Sequence, residues 1–460
     1  MMHLAQLLGP DLQEALNTDP SGIVDALEEF HPEDIADLVE ELPEKLTCDL
    51  MRILPTTLGA DVIERVNSDL QEAILRSLAP QQRAALLSEV DPDDRVDILQ
   101  ELPQEDARRA LEELERNDPV AASEVRELRV YDESTAGGLM TTDFVTLSPD
   151  VKVWEAIDTL RDAAHGGEAE IVYYTYVVNS EGQLLGVVSL RDLIINGSGQ
   201  ALSDIMTEKI VKVDVHDDQE EVAHAIARYD LTAVPVVDNN NRILGLVTVD
   251  DVVDVVIEEA TEDAQKMSAV LPLEDSYFET GLGEFIWKRA TWLVVLFFGQ
   301  LLTATVMEEN EDALQTMIEL VVFIPLIIAS GGNAGGQSST LVIRALAVGE
   351  IRSKDWLRVL SREVIIGIAI GLCLGLIGFM RAFLFGEGQA AIQLAVIAGT
   401  GILCIVTLGT IIGSLLPIAI RKAGLDPAVS SAPFIASLID VIGLIVYFGL
   451  ARWVIGGGLL

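Results

Sequence analysis

The chain has 460 residues, half of them hydrophobic, yet its formal net charge is −43, a pairing that neither a single soluble core nor a plain membrane bundle explains. The charge is segregated: through Thr280 there are 61 acidic and 19 basic side chains, net −42, whereas residues 281–460 carry 12 and 11, net −1. With no basic face for phosphate backbones, nucleic acid is excluded as a partner and cations are favoured, while Cys48, Cys373 and Cys404, in no paired spacing, indicate neither a disulfide framework nor a zinc site and suit a reducing cytosol.

In chain order, the first signal is a repeat. Prolines stand at 20, 32, 43, 55, 80, 92 and 103, at intervals of 11 or 12 with one double step of 25, and a fixed period marks stacked units. His31-Pro32-Glu33-Asp34-Ile35-Ala36-Asp37-Leu38 and Asp91-Pro92-Asp93-Asp94-Arg95-Val96-Asp97-Ile98 share one layout of proline, acids and apolar residues at helical spacing. Proline suits the first helical position and acids suit the positive end of the helix dipole. Residues 1–130 are therefore expected to form an acidic α-helical superhelix. Most of its carboxylates read as a solvated face; Asp93 and Asp97, one turn apart, are candidate metal ligands.

Residues 131–257 hold a second duplication. Tyr176-Val177-Val178 and Pro235-Val236-Val237 each lead through a turn into Leu185-Gly186-Val187-Val188-Ser189-Leu190-Arg191-Asp192 and Leu244-Gly245-Leu246-Val247-Thr248-Val249-Asp250-Asp251, with glycine, hydroxyl and acid offset by 59. Glycine admits a ligand close to the strand, a hydroxyl at a helix start can meet a phosphate, and the following Asp can accept from ribose hydroxyls. Ser189, Arg191, Asp192, Thr248 and Asp251 are thus candidate nucleotide contacts, and equally good helix-start residues. The segment resembles a tandem pair of CBS (cystathionine beta-synthase) modules, an α/β fold, and an adenine nucleotide such as ATP is the ligand this suggests. After it, Asp250, Asp251, Asp254, Glu258, Glu259, Glu262 and Asp263 load one connecting helix, placed at 258–284, with acids that repel at i and i+4 unless cations occupy them.

No secretory signal opens the chain and the first strongly apolar stretch begins near Trp287, so the N-terminus is expected to stay inside. Five stretches in 285–460, about 287–307, 314–346, 363–385, 390–420 and 428–456, are long enough to span a bilayer. Lys288 and Arg289, then Arg352, Lys354, Arg358 and Arg362, then Arg421 and Lys422 fall on alternate connections and belong on the cytoplasmic side. The other connections carry Glu308, Glu309, Glu311 and Asp312, and Gly386-Glu387-Gly388, which puts the C-terminus outside. Within the spans two polar places stand out. One is Pro325 followed by the small-residue run 329–339, where Asn333 and Gln337 share a face; the other is Asp440, for which no central lysine or arginine offers a partner. A bound cation or a proton must meet that carboxylate.

An acidic superhelix, a CBS pair, an acidic linker and five spans, together with Gly331-Gly332-Asn333-Ala334-Gly335-Gly336-Gln337-Ser338 and Asp426-Pro427-Ala428 followed by Pro433 and Asp440, resemble the MgtE family of magnesium channels over nearly the whole chain. The resemblance implies a multi-pass homodimer of the cell membrane. Its pore ion site would be formed by Asp440 with Asn333 and Gly332, lined further by Gln337, Pro325 and Pro433. It also implies regulatory Mg2+ on Asp93, Asp97, Asp218, Glu220, Asp230, Asp251, Asp254, Glu259, Glu262, Asp263 and Asp426, which closes the channel. Ala432 departs from the family, where a polar side chain can precede the proline. Mg2+ fits independently: it dehydrates reluctantly and prefers oxygen, and two Asp440 side chains about a twofold axis balance its charge. Softer metals would favour His, Cys or Met, and no His follows His224. Catalytic motifs such as Gly-x-Ser-x-Gly and His-Glu-x-x-His do not occur, so an enzyme is not expected. The rival readings are a proton-coupled or broader divalent carrier passing Mn2+ or Co2+, and a CBS-based membrane sensor.

Overall fold

A computed structural model describes residues 16, 18–166, 173–273, 277–278, 280–385 and 388–456; Gly386 and Glu387 lie outside the described residues. The chain divides into two compact units, Met1–Ile257 and Glu258–Leu460.

In the first unit, nine short helices follow one another among the described residues: α1 (Pro20–Leu27), α2 (Pro32–Glu41), α3 (Glu44–Met51), α4 (Thr56–Ile63), α5 (Ser68–Ser77), α6 (Pro80–Glu89), α7 (Pro92–Glu101), α8 (Gln104–Asn117) and α9 (Pro119–Leu128). Proline opens five of them at N1, and Pro43, Pro55 and Pro103 are N-caps. That is where its missing N–H leaves no gap in the hydrogen-bond ladder. Helices pack on the next but one: α2 on α4, α3 on α5, α4 on α6, α6 on α8 and α7 on α9. Side chains bridge the end of one helix to the start of the third after it. Glu40 accepts from the Asn67 backbone N–H at 2.9 Å and Glu64 from that of Asp91 at 3.1 Å, both 27 residues on. The core between the rows includes Val39, Leu50, Ile63, Ile74, Leu87 and Leu114.

The α/β pair follows. Strands β1 (Thr146–Leu147), β2 (Tyr174–Val178) and β3 (Leu184–Ser189) form one sheet, with α10 (Val153–Gly166) in the β1–β2 crossover and α11 (Leu190–Ile195) after β3. Strands β4 (Val213–Asp214), β5 (Ala233–Val237) and β6 (Ile243–Thr248) form the other, with α12 (Gln219–Tyr229) as the crossover. Both sheets have one parallel and one antiparallel pairing, and both slip register at the equivalent step, Val177/Val178 and Val236/Val237. The duplication read from the 59-residue offset is thus a duplication of fold. Helix α13 (Val249–Met267) starts directly from β6, so the acidic helix begins nine residues before the expected connecting segment, and it ends well before residue 284.

Among the described residues of the second unit five helices are long and apolar enough to cross a membrane. They are α14 (Leu282–Glu309), then, after short α15 (Glu311–Thr316), α16 (Leu320–Ala347), α17 (Trp356–Phe385), α18 (Gly388–Lys422) and α19 (Ala432–Ile455). The second span thus starts at Leu320, six residues later than expected, because α15 is a separate helix. Helix α16 lies against both α18 and α19, and α17 against α18. Small residues permit these approaches, as bilayer helix pairs require: a side chain at Gly375 would stand 2.6 Å from the Gly399 carbonyl and one at Gly413 would stand 2.1 Å from that of Gly335.

Candidate ion path and acidic clusters

The small-residue run on α16 has two working faces. Added Cβ atoms at Gly331 and Gly335 would strike Ile405 and Ile439, whereas Gly332 and Gly336 face Ala436 and Ala432 of α19, with Asp440 Oδ1 3.9 Å from the Gly332 position. Between the helices a cavity of about 460 Å³ is lined by Ile328, Ala329, Gly332, Asn333, Gly336, Gln337, Ala432, Pro433, Ala436 and Asp440. Asn333 and Gln337 are exposed there and Asp440 is only half-buried, so the carboxylate stands at an open cavity instead of being sealed in apolar helix. No lysine or arginine lines it. Ala432 contributes only a methyl group. Pro325 is exposed in the second turn of α16 and is not among the lining residues. Glu363, at the start of the third expected span, was not singled out from the sequence; its carboxylate accepts from the Ser338 hydroxyl at 2.7 Å while its carbonyl accepts from Thr410 at 3.2 Å. Standing on α17, it ties that helix to α16 and α18.

Among the described residues of the first unit, one group of carboxylates comes within mutual ligand distance: Glu64, Asp91 and Asp94, with oxygens within 4.8 Å of one another. Burial raises Asp94 to a pKa of about 8, and the neighbouring Glu64, Asp251, Asp91 and Asp97 charges add to it. Burial raises Glu64 to about 7, against the hydrogen bond from Asp91 N–H. Asp91 is raised as well, again first by burial. Such a set holds protons or a cation at neutral pH, not three bare charges. Asp93 and Asp97, the pair singled out from the sequence, are not members; Asp97 is exposed on α7 beside Asp94.

Asp251 is raised by burial while it accepts from Thr248 Oγ1 at 2.5 Å; Asp254 is exposed one turn on. Asp218 and Asp230 cap opposite ends of α12, Asp218 accepting from Glu220 N–H at 2.9 Å and Asp230 in the left-handed conformation at φ 51°. Twelve helical steps from residue 218 to 230 separate their backbones by about 18 Å, so one ion cannot bridge them within a chain. The Glu220 carbonyl, for its part, contacts His224 Nδ1 at 2.9 Å.

In the second unit, Lys266 Nζ donates to Asp426 Oδ2 at 2.7 Å and pairs with Glu262. Burial opposes its charge, but those hydrogen bonds prevail and its pKa lies above the usual lysine value. Asp263 beside it is raised by burial and then by the Asp426 and Glu259 charges. Glu259, Glu262, Asp263 and Asp426 therefore do assemble, around an ammonium the sequence reading overlooked.

The nucleotide candidates separate into two groups. Ser189 and Arg191 line a cavity of about 430 Å³ with Tyr173, Tyr174, Leu190, Ile194, Ile195 and Thr232. Asp192, Thr248 and Asp251 do not. Ser189 also caps α11, accepting from Asp192 N–H at 3.1 Å and donating to its carboxylate at 2.6 Å, and Thr248 plays a parallel part with Asp251.

Comparison with known proteins agrees with this layout. Residues 30–134 match the MgtE intracellular N domain, residues 136–198 and 202–258 match CBS domains, and residues 324–450 match MgtE, divalent cation transporter. The chain is 40% identical over 334 residues to the magnesium transporter MgtE of Thermus thermophilus, covering 73% of each. To that of Enterococcus faecalis it is 38% identical over 330 residues, 72% of this chain and 71% of the relative. The crystal structure of the cytosolic domain of the Mg2+ channel MgtE in complex with ATP superposes with a TM-score of 0.51 at 40% identity, covering 55% of this chain and all of the other. With both halves and their order accounted for, the chain belongs to the MgtE family of divalent cation transporters.

Proposed function

We propose that this protein is a Mg2+-selective channel or transporter that mediates magnesium uptake across the cell membrane, working as a homodimer and closed by cytosolic Mg2+ at its acidic soluble half. The observation that carries the reading is Asp440 at a cavity with Asn333, Gln337 and the glycine backbone, free of basic residues. These are hard oxygen and amide groups, suited to an ion that keeps much of its water. The cavity is open-sided and offers one carboxylate per chain, so a second copy about a twofold axis would close it and balance the charge of the ion. Regulatory Mg2+ would sit at Glu64, Asp91 and Asp94 and in the Glu262, Asp263 and Asp426 cluster, where burial of like charge makes a divalent ion most useful. The N-terminal half would lie in the cytosol and the C-terminus outside. ATP or another adenine nucleotide would bind at the Ser189 and Arg191 cavity and modulate closure.

Flux of Mg2+, Mn2+ and Co2+ into liposomes, with and without a pH gradient, tests the transport reading. Asp440→Asn keeps the size of the side chain but removes the charge, and we expect it to abolish Mg2+ flux in a folded protein. Wild-type uptake by that variant would remove Asp440 from the ion path. Uptake that requires the pH gradient would favour a proton-coupled carrier instead.

A further inference from the structure

Three helix ends of the membrane unit converge on a small core of their own: Val342 and Leu346 from the end of α16, Val359 from the start of α17 and Ile418 from the end of α18, with Ile351 and Leu415 packed against them. Interleaved with these residues stand Arg344, Arg352, Lys354, Arg358, Arg362, Arg421 and Lys422, all exposed. Arg421 Nη1 also donates to the Leu346 carbonyl at 2.5 Å, fastening α18 to α16. Lys266 at the end of α13 reaches Asp426, four residues beyond Lys422. These ends therefore lie on the side of the second unit where the end of α13 joins it.

Among the described residues of the second unit none of these seven cations joins an ion pair, whereas Lys266 and Lys288 do. The carboxylates nearest in sequence are engaged elsewhere: Asp355 with the Arg352 backbone N–H at 3.0 Å, Glu363 with Ser338, and Asp426 with Lys266. Glu350 alone is left over. Around the cations, Leu341, Val348, Trp356, Leu357 and Ile365 turn apolar surface outward. Topology rules explain why lysine and arginine fall on this side. They do not explain why seven of them gather at one convergence without counter-charge, edged by exposed hydrocarbon.

We infer that this rim binds anionic phospholipid headgroups of the leaflet at these helix ends, phosphates against the guanidinium and ammonium groups and acyl chains against Trp356, Leu357 and Ile365. Each cation close to such a surface contributes roughly fivefold to the preference for anionic over neutral lipid, and salt weakens the preference.

The test uses the full chain in nanodiscs of phosphatidylcholine alone and of phosphatidylcholine mixed with phosphatidylglycerol. Native mass spectrometry reads the lipids retained and thermal unfolding reads the midpoint. Phosphatidylglycerol should be retained above its bulk share and should raise the midpoint. The doubles Arg352→Gln/Lys354→Gln and Arg358→Gln/Arg362→Gln should each cut the preference by roughly 25-fold and remove the upward shift. Retention in proportion to bulk composition by the wild type would overturn the proposal. So would unchanged enrichment in both doubles, or inorganic phosphate in phosphatidylcholine discs raising the midpoint as much as phosphatidylglycerol does. Doubles that lower the midpoint equally in both lipids would show instead that the cations serve the protein's own carboxylates, and would equally overturn it.

Discussion

Gly413→Ala is the sharpest probe of the membrane unit. A methyl group there would sit 2.1 Å from the Gly335 carbonyl oxygen and 2.8 Å from its carbon. An ordinary carbon–oxygen contact is near 3.4 Å, so α16 and α18 must part by about 1.3 Å, and both contacts are backbone atoms that no rotamer change can move aside. Overpacking of this kind costs about 1–3 kcal/mol where the structure can yield, and more where it cannot. Because α16 also carries Gly332, Asn333 and Gln337 toward Asp440, the displacement passes to the cavity; a loss of about 1.4 kcal/mol in ion occupancy is tenfold in half-saturating Mg2+. Thermal unfolding in lipid and Mg2+ flux into liposomes should both report it, with a lower midpoint and a flux curve moved to higher concentration. Gly449→Ala is the matched control, since nothing lies within 4 Å of its added Cβ, and it should leave both unchanged. A Gly413→Ala protein with wild-type midpoint and flux would refute the close approach of the two helices and the argument built on it.

Three further outcomes are expected. Since folding raises Asp94 to about 8 and Glu64 to about 7, the folded state binds more protons than the unfolded one. Stability therefore falls as pH climbs from the ordinary carboxylate range through those values. The protection of α4 and α7 amides in the intact protein, taken relative to the intrinsic exchange rate at each pH, should fall between about pH 5 and 8, Mg2+ should restore it, and Asp94→Asn should flatten the profile and remove the Mg2+ effect. Ser189→Ala should cost about 1 kcal/mol as a lost helix cap whether or not nucleotide is present, whereas Arg191→Ala should weaken ATP binding measured by calorimetry without lowering stability; the reverse pattern would reassign both. Lys266→Gln leaves Glu262, Asp263 and Asp426 without their ammonium, so the Mg2+ concentration that protects the end of α13 from exchange should fall.

The helix starts of the N-terminal region were legible because proline marks them singly, and the paired sheets because glycine, hydroxyl and acid recur at 59 residues. The metal-competent cluster was not. Glu64 ends one repeat while Asp91 and Asp94 open another 27 residues later, and only the packing of each helix on the next but one brings them together. An 11- or 12-residue period fixes where helices begin, but says nothing of which partner each selects. Asp93 and Asp97 attracted notice by local spacing, yet a shared face on one helix does not supply the second wall of a site. Asn333, Gln337 and Asp440 were legible for the opposite reason: polar groups in apolar helices have few uses, so their isolation betrayed them. Glu363 was not legible, because it follows Arg358 and Arg362 at the start of α17 and only the packing of α16 brings the Ser338 hydroxyl to it.

Lys266 alters what competition means in its cluster. An ammonium held by its own side chain beside Glu262 and Asp426 has a local concentration set by tether length, independent of the surrounding solution. A divalent ion entering there exchanges against a rival that can be neither diluted nor dialysed away. If Mg2+ occupies this cluster as proposed, lowering its bulk concentration would return the carboxylates to a resident partner and not to bare repulsion. The position of that exchange is written into one side chain, which makes residue 266 a place where the working range of the protein could be retuned without touching any carboxylate.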